Sequence, residues 1–187
     1  MGSGMGKGRA VHRLVWIIYV VRALAFVWAF CAIGLHAWER GFGAGVWVAL
    51  VLQFLVYPHL LYVRSIRASD QKAAEFQHLY VDSLLWGLWI PALEFPVWIA
   101  YALVSASTLN AIVNLGLPGL AKSVVATSVG LAVGLALFGY HLSPSTSAIV
   151  TAMCFFGSLA YTVGVGFVVH RQTMRLAASR AELARKA

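Results

Sequence analysis

The chain has 187 residues, of which 61% are hydrophobic and only 11% are charged. Soluble globular domains contain about 25% charged residues, so this composition excludes a soluble domain and indicates a membrane protein. The net charge of +8 does not indicate nucleic-acid binding, because the basic residues lie in short clusters between long apolar runs, as charges that flank membrane spans do.

Six segments are apolar and long enough to cross a bilayer, which requires roughly 20 mostly apolar residues. They lie near Leu14–Gly34, Ala44–Val63, Phe76–Leu93, Phe95–Asn114, Ser123–Tyr140 and Ser147–His170. Basic residues occur at both ends of the chain and in every second connection, whereas the other connections contain only Arg40. Because basic connections stay in the cytoplasm, we expect both termini there.

The sequence therefore predicts an all-α polytopic membrane protein in three parts. Residues 1–12 form a basic cytoplasmic segment, residues 13–170 form the six-helix membrane domain, and residues 171–187 continue the sixth helix into the cytoplasm. The last part is rich in Ala, Arg, Leu, Glu and Lys and has no Gly or Pro, a composition that favours helix. Such a helix would connect the membrane to another domain; the alternative is a solvated tail.

Polar side chains are concentrated in the cytoplasmic halves of the first four spans. These residues are Arg22, His59, His78, Asp82, Asn110 and Asn114. Arg22 lies roughly 13 Å and Asp82 roughly 10 Å into the membrane, at 1.5 Å per helical residue. Their similar depth and opposite charge predict an ion pair, with a histidine hydrogen-bonded nearby. Intramembrane charges are costly and mark functional sites; the alternative is a network that only holds the helices together.

Two further features of these spans concern Pro58 and the two histidines. Pro58 removes one helical hydrogen bond and predicts a kink or hinge in the second span. His59 and His78 would lie at similar depth, and paired axial histidines are one way to hold heme. We give this alternative a low weight, because such histidines are more often hydrogen-bonded, and we expect no metal site.

Small residues recur within the last two spans. Gly130 and Gly134 form a Gly-x-x-x-Gly pair, and Gly157 and Gly164 follow in the sixth span. Small residues allow helix backbones to approach closely. The glycines therefore predict either packing within the bundle or a dimer interface.

The stretch from Arg13 to Gly116 resembles the bacterial membrane-associated sensor domain of the second type, which precedes diguanylate cyclase and some adenylate cyclase catalytic domains. The resemblance rests on four features: Tyr57-Pro58-His59-Leu60, the polar loop from Arg64 to Glu75, Leu79-Tyr80-Val81-Asp82-Ser83, and the segment from Ser107 to Asn114. It implies a sensory input domain that controls synthesis of a cyclic nucleotide, c-di-GMP in particular. These residues contain no GGDEF-type catalytic motif, so we expect no enzymatic activity from this chain itself.

We therefore expect a homodimeric signal transducer in the bacterial inner membrane, with no nucleic-acid partner. The polar cluster would bind a small hydrophobic or lipid-like ligand, and the last helix would transmit the signal. A small transporter or channel is one alternative, although the polar first half and the apolar second half do not resemble the matched repeats of transporters. A passive membrane anchor and dimerisation module is the other. The roles of Glu94 and His141 at the outer face stay open.

Overall fold

The computed structural model describes residues 13–186, and no strand occurs within that range. The described chain consists of six α-helices and one π-helical segment. They are α1 (Arg13–Arg40), α2 (Ala44–Leu50), the π segment (Val51–Val56), α3 (Tyr57–Arg67), α4 (Gln71–Ala92), α5 (Val97–Phe138) and α6 (Ala148–Lys186). The predicted all-α class is confirmed. The predicted basic segment 1–12 lies outside the described residues.

The second span is one continuous helix in which α2, the π segment and α3 follow without a break. The Tyr57 N–H donates to the carbonyl oxygen of Leu52, five residues back, instead of four. Pro58 follows directly within this continuous helix and has no N–H to donate to the preceding turn. The irregularity predicted at the proline is therefore a π-helical widening that precedes it.

The long helix α5 reverses direction at Gly116. This glycine has a φ of 67° and a ψ of −161°, which are not helical. The Oγ atoms of Ser107 and Ser123 lie 3.2 Å apart, although a straight helix would separate these residues by roughly 24 Å. The two arms, residues 97–115 and 117–138, therefore form an antiparallel hairpin. Where the sequence predicts a loop of several residues, a single glycine in a left-handed conformation turns the chain.

Four helices of the described chain are long and apolar enough to cross a membrane. They are Val15–Arg40, Ala44–Arg67, Val97–Phe138 and Ala148–Met174. Helix α4 is not among them, because polar residues such as Glu75, His78 and Asp82 lower its mean hydropathy. With 42 residues, α5 is about twice as long as one crossing requires.

Glycines bring α4 into direct backbone contact with the second arm of α5. A Cβ atom at Gly130 would overlap the carbonyl oxygen of Leu84, and one at Gly134 would lie 2.9 Å from that of Leu88. From the α4 side, a Cβ atom at Gly87 would overlap the carbonyl oxygen of Thr127. The predicted Gly-x-x-x-Gly pair therefore packs helices within one monomer.

The other two glycines have different surroundings. A Cβ atom at Gly157 of α6 would overlap the indole nitrogen of Trp28 on α1, so this glycine also serves packing within the monomer. At Gly164, by contrast, an added Cβ atom would meet no atom of another helix within 4 Å in the described part of the chain.

The hydrophobic core includes residues of α1, the second span, α4, α5 and α6, and its aromatic part lies between α1, the π segment and α4. Phe54 is 1% exposed, and its ring lies 5.5 Å from those of Trp86 and Trp89, while Phe26 contacts Trp86 at 4.9 Å. These aromatic contacts hold together α1, the second span and α4, the same elements that carry Arg22, Tyr57 and Asp82.

Hydrogen bonds join the connection between α4 and α5 to the connection between α5 and α6, and Arg40 at the end of α1 bonds to the latter. The Ser143 N–H donates to the carbonyl oxygen of Glu94 at 2.8 Å, and the Val97 N–H donates to that of Pro144 at 3.1 Å. Arg40 Nη2 donates to the Ser145 carbonyl oxygen at 3.0 Å. Glu94 therefore contributes its backbone to this contact, in a tight turn where its φ is 65°.

The glycine contacts predict a clear difference between two alanine substitutions. Gly130→Ala should lower the free energy of unfolding by about 1–3 kcal/mol, the usual cost of overpacking, because the new methyl group meets backbone atoms that cannot rotate away. The control Gly45→Ala places its methyl group in open space and should leave stability unchanged or raise it slightly. Thermal unfolding in detergent compares the two, and equal stability of both variants would contradict the packing.

Candidate functional site

Arg22 of α1 forms ion pairs with two carboxylates of α4. Its Nη1 lies 2.8 Å from Oε2 of Glu75, and its Nε lies 3.3 Å from Oδ2 of Asp82. The three side chains are 5%, 1% and 8% exposed. The predicted ion pair between Arg22 and Asp82 is confirmed, and Glu75 is a second and closer partner.

In the sequence, Glu75 ends the polar loop before the third span, and its contact with Arg22 is not predicted. Glu75, His78 and Asp82 follow one another at i, i+3 and i+7, which places all three on one face of α4. That spacing is the signal that would have found Glu75. We call the set of Arg22, Glu75, His78 and Asp82 the charge network.

Helix α3, which continues the π segment, supplies two neutral partners of the charge network. The Tyr57 hydroxyl donates to Oδ1 of Asp82 at 2.9 Å, so both oxygens of this carboxylate are bonded. Ser65 Oγ lies 3.3 Å from Nδ1 of His78. His78 itself is 0% exposed, and its Nδ1 lies 4.0 Å from Oε2 of Glu75. The network thus connects three helices through charged and neutral hydrogen bonds.

Three buried polar atoms of the charge network have no hydrogen-bond partner among the described residues. They are Nη2 of Arg22, Oε1 of Glu75 and Nε2 of His78. Buried polar atoms in proteins are nearly always paired. The network therefore has unused capacity to bind a further polar atom or a proton.

Two of the predicted site residues lie apart from the charge network. His59 Nδ1 is bonded to the Tyr19 hydroxyl at 2.8 Å, beside the Tyr62 ring, which stacks on Tyr19 at 4.3 Å. His59 is exposed, whereas His78 is buried. Because the two histidines bond to different partners, their contacts do not favour the heme alternative. Among the described residues, no group of three or more His, Cys, Asp or Glu side chains is arranged to hold a metal ion.

The two predicted asparagines bond to each other. Asn114 Nδ2 donates to Oδ1 of Asn110 at 2.7 Å and to its carbonyl oxygen at 2.9 Å. This is an exposed i, i+4 contact on one helix. It neither reaches the charge network nor links two helices.

A second buried polar cluster, which the sequence analysis misses, adjoins the charge network. Ser83 donates its hydroxyl to the Leu79 carbonyl oxygen at 2.7 Å, and its Oγ lies 2.7 Å from those of Ser107 and Ser123. Its oxygen can therefore accept from both other serines, which satisfies the hydroxyls. This serine cluster joins α4 to both arms of α5. Isolated serines in apolar spans carry no sequence signal for such a contact.

Helix α6 approaches the charge network at one residue and then leaves the bundle. Tyr161 lies close enough to Arg22 and Asp82 to interact with them electrostatically. Beyond Tyr161, the side chains of Val163 and Phe167 are 62% and 59% exposed, so this part of α6 is not covered by the other described helices. The helix continues to Lys186 without a break.

An open apolar groove lies elsewhere, between α1 and α6. It has a volume of about 380 Å³ and is lined by Trp28 and by α6 residues from Ala148 to Phe156. The groove and the charge network have no lining residue in common.

No curated protein and no solved structure matches the chain. Residues 17–105 match the family model described as the MASE2 domain. The matched stretch contains the whole charge network together with Tyr57 and Ser65, and it ends before the second arm of α5 and α6. The resemblance found in the sequence is confirmed for this part of the chain, since MASE2 is a family of membrane-associated sensor domains.

Proposed function

We propose that the chain is the sensory input unit of a signalling protein, and that α6 transmits the state of the charge network to a downstream domain that synthesises a cyclic nucleotide. The observation that carries this proposal is the path of α6. The helix passes the network at Tyr161 and continues unbroken to Lys186. A change in the network that moves Tyr161 would displace the rest of a rigid helix.

The proposed topology has six crossings with both termini in the cytoplasm of the inner membrane. The α4 helix and the two arms of α5 each have about the length of one crossing. Their polar groups face one another inside the bundle, as intramembrane polar groups do. The distribution of basic residues supports the orientation.

We also propose that two copies of the chain form a homodimer through the inner half of α6. Gly130, Gly134 and Gly157 are used for packing within the monomer, whereas a Cβ atom added at Gly164 or Gly166 would meet no described atom of another helix within 4 Å. An open small-residue surface on an apolar helix suits contact with a second helix. Closed two-fold symmetry is the commonest arrangement of oligomers.

Two other functions make different predictions. A transporter or channel would move a solute, which a flux assay in liposomes measures. A passive anchor would hold the downstream domain at the membrane and leave its output independent of the charge network. The buried charges favour a sensor over a passive anchor, because an anchor does not require charges that are costly inside the membrane.

The dimer is tested by cysteine crosslinking along α6. In a background that lacks Cys31 and Cys154, single cysteines from Thr173 to Arg180 should crosslink efficiently, with maxima about 3.6 residues apart, because one helix face would meet its partner. Leu117→Cys is the control, since this residue is 72% exposed at the turn of α5, away from the proposed interface. A uniformly monomeric product in native membranes would refute the dimer.

The signalling function is tested with a diguanylate cyclase catalytic domain joined after Ala187. Cellular c-di-GMP should be produced, which requires a cytoplasmic C-terminus. Asp82→Asn and Tyr161→Phe should shift the c-di-GMP level by about fivefold or more, since coupling between sites is typically worth 1–3 kcal/mol. Tyr140→Phe is the matched control, because Tyr140 is exposed at the outer end.

The outcomes of this test separate the proposed functions. Equal c-di-GMP levels in all variants, at equal membrane abundance, would favour the passive anchor. No synthesis at all from a folded fusion that is inserted in the membrane would contradict the proposed orientation.

A further inference from the structure

We propose that Lys122 binds the phosphate group of an anionic phospholipid at the inner face of the membrane, with the Tyr80 ring beside it and an acyl chain of the lipid along the second arm of α5. The inference uses the proposed topology of six crossings. It does not depend on the signalling function or on the dimer.

Lys122 is an isolated charge in a long apolar stretch. Between Glu94 and Arg171, the sequence contains no other Asp, Glu, Lys or Arg. The pattern of loop charge predicts this lysine in a cytoplasmic connection. The structure instead places the turn at Gly116. Lys122 therefore lies within the second arm, roughly 9 Å along the helix from the turn at 1.5 Å per residue.

The neighbouring serine cluster shows how deep Lys122 lies in the bundle. Ser123, the next residue, is 0% exposed, and its Oγ lies 2.7 Å from that of Ser83. Because Asp82 of the charge network precedes Ser83, Lys122 and the network lie at about the same level. Asp82 is buried, whereas Lys122 is exposed. The Lys122 side chain therefore faces the surrounding lipid.

The protein supplies no negative partner for this charge. Lys122 forms no ion pair with any side chain that the structure describes. Its Nζ lies 6.0 Å from the centre of the Tyr80 ring, which is at the limit of the attraction between a cation and an aromatic ring. A charge within a membrane is costly unless it is paired. The negative partner of Lys122 must therefore come from outside the chain.

The phosphate of a lipid headgroup is a suitable negative partner. The long stem of a lysine can lie along apolar surface while its ammonium group reaches the interface. Aromatic rings with a polar end, such as that of Tyr80, are favoured at the same level. The cytoplasmic leaflet contains anionic lipids, and its negative surface attracts basic residues. An anionic phospholipid therefore matches the charge of this site better than a zwitterionic one.

An apolar face of α5 continues from Lys122 towards the outer end of the bundle. Val125, Val129 and Val133 follow at i+3, i+7 and i+11, so they lie on the same face as Lys122. Their side chains are 63%, 48% and 42% exposed. A positive charge at the inner end of an open apolar face complements the headgroup and one acyl chain of a single lipid molecule.

Native mass spectrometry of the full chain in detergent, titrated with phosphatidylglycerol or phosphatidylcholine, tests the site. The chain should bind phosphatidylglycerol more tightly than phosphatidylcholine. Lys122→Gln should weaken phosphatidylglycerol binding about fivefold, the usual effect of one basic residue at an anionic membrane surface, and should leave phosphatidylcholine binding unchanged. Lys122→Arg keeps the charge and should retain most of the affinity.

Lys72→Gln is the matched control, because Lys72 is exposed in the first turn of α4 and its replacement changes the net charge equally. Lys72 precedes Tyr80 by roughly 12 Å along the helix, which exceeds the screening length of about 10 Å at 0.1 M salt. The control should therefore bind phosphatidylglycerol nearly as the unmodified chain does. An equal loss in both variants would indicate general attraction to charge and overturn the site, as would equal binding of the two lipids by the unmodified chain.

A phosphatidylglycerol with a photoreactive acyl chain then locates the bound lipid in nanodiscs. It should label the peptide that contains Val125 and Val129 more strongly than α1 around Leu24, which is 69% exposed. Lys122→Gln should remove this difference. Labelling that is no stronger at Val125 than at Leu24 in the unmodified chain would contradict the proposal. Because both leaflets of the nanodisc have the same composition, the result does not depend on the orientation, which the c-di-GMP fusion tests separately.

Discussion

The arrangement of the first four helices depends on the need of Arg22 for negative partners. An arginine does not lose its proton in proteins, and this one lies about 13 Å along α1 from the basic end of the helix. Among the described residues, the carboxylates of Glu75 and Asp82 are its ion-pair partners, at 2.8 Å and 3.3 Å. That requirement fixes the depth and rotation of α4 relative to α1. Tyr57 and Ser65 then hold α3 against the face of α4 that carries Asp82 and His78.

Away from the charge network, the bundle is held by aromatic packing and by close helix contacts at glycines. Aromatic rings of Phe26, Phe54 and Trp86 fill the space between the first three spans, and glycines allow α4 to touch α5. These contacts are rigid because close-packed side chains and backbones have little room to move. Helix α6 contacts the rest of the bundle less extensively than α5 does.

Hydropathy and loop charge predict the helical class and most helix positions, because membrane spans are set by length and apolar content. Depth and opposite charge also predict the contact between Arg22 and Asp82. The reversal at Gly116 is not predicted, because a glycine followed by a proline two residues later suggests a loop and does not specify a one-residue turn. Glu75 is missed because its position near the end of a span made it resemble a boundary residue.

The other missed contacts involve neutral groups. Tyr57 and the serine cluster act through hydroxyls whose partners lie on other helices, and a single sequence gives no information about such pairs. His59 and Asn114 have the polarity expected of site residues, but both are exposed. Polarity within a span therefore identifies candidates, while the rotation of each helix decides which of them meet.

The role of Arg22 is tested most directly by unfolding of the purified chain in nanodiscs. Arg22→Met should cost about 3–5 kcal/mol, as removal of one partner from a buried ion pair does. Neutralising both carboxylates as well, with Glu75→Gln and Asp82→Asn, should restore most of that loss. Arg67→Met, at an exposed position, should change stability by about 0.5 kcal/mol or less. Wild-type stability of Arg22→Met, or no recovery in the triple variant, would contradict the account.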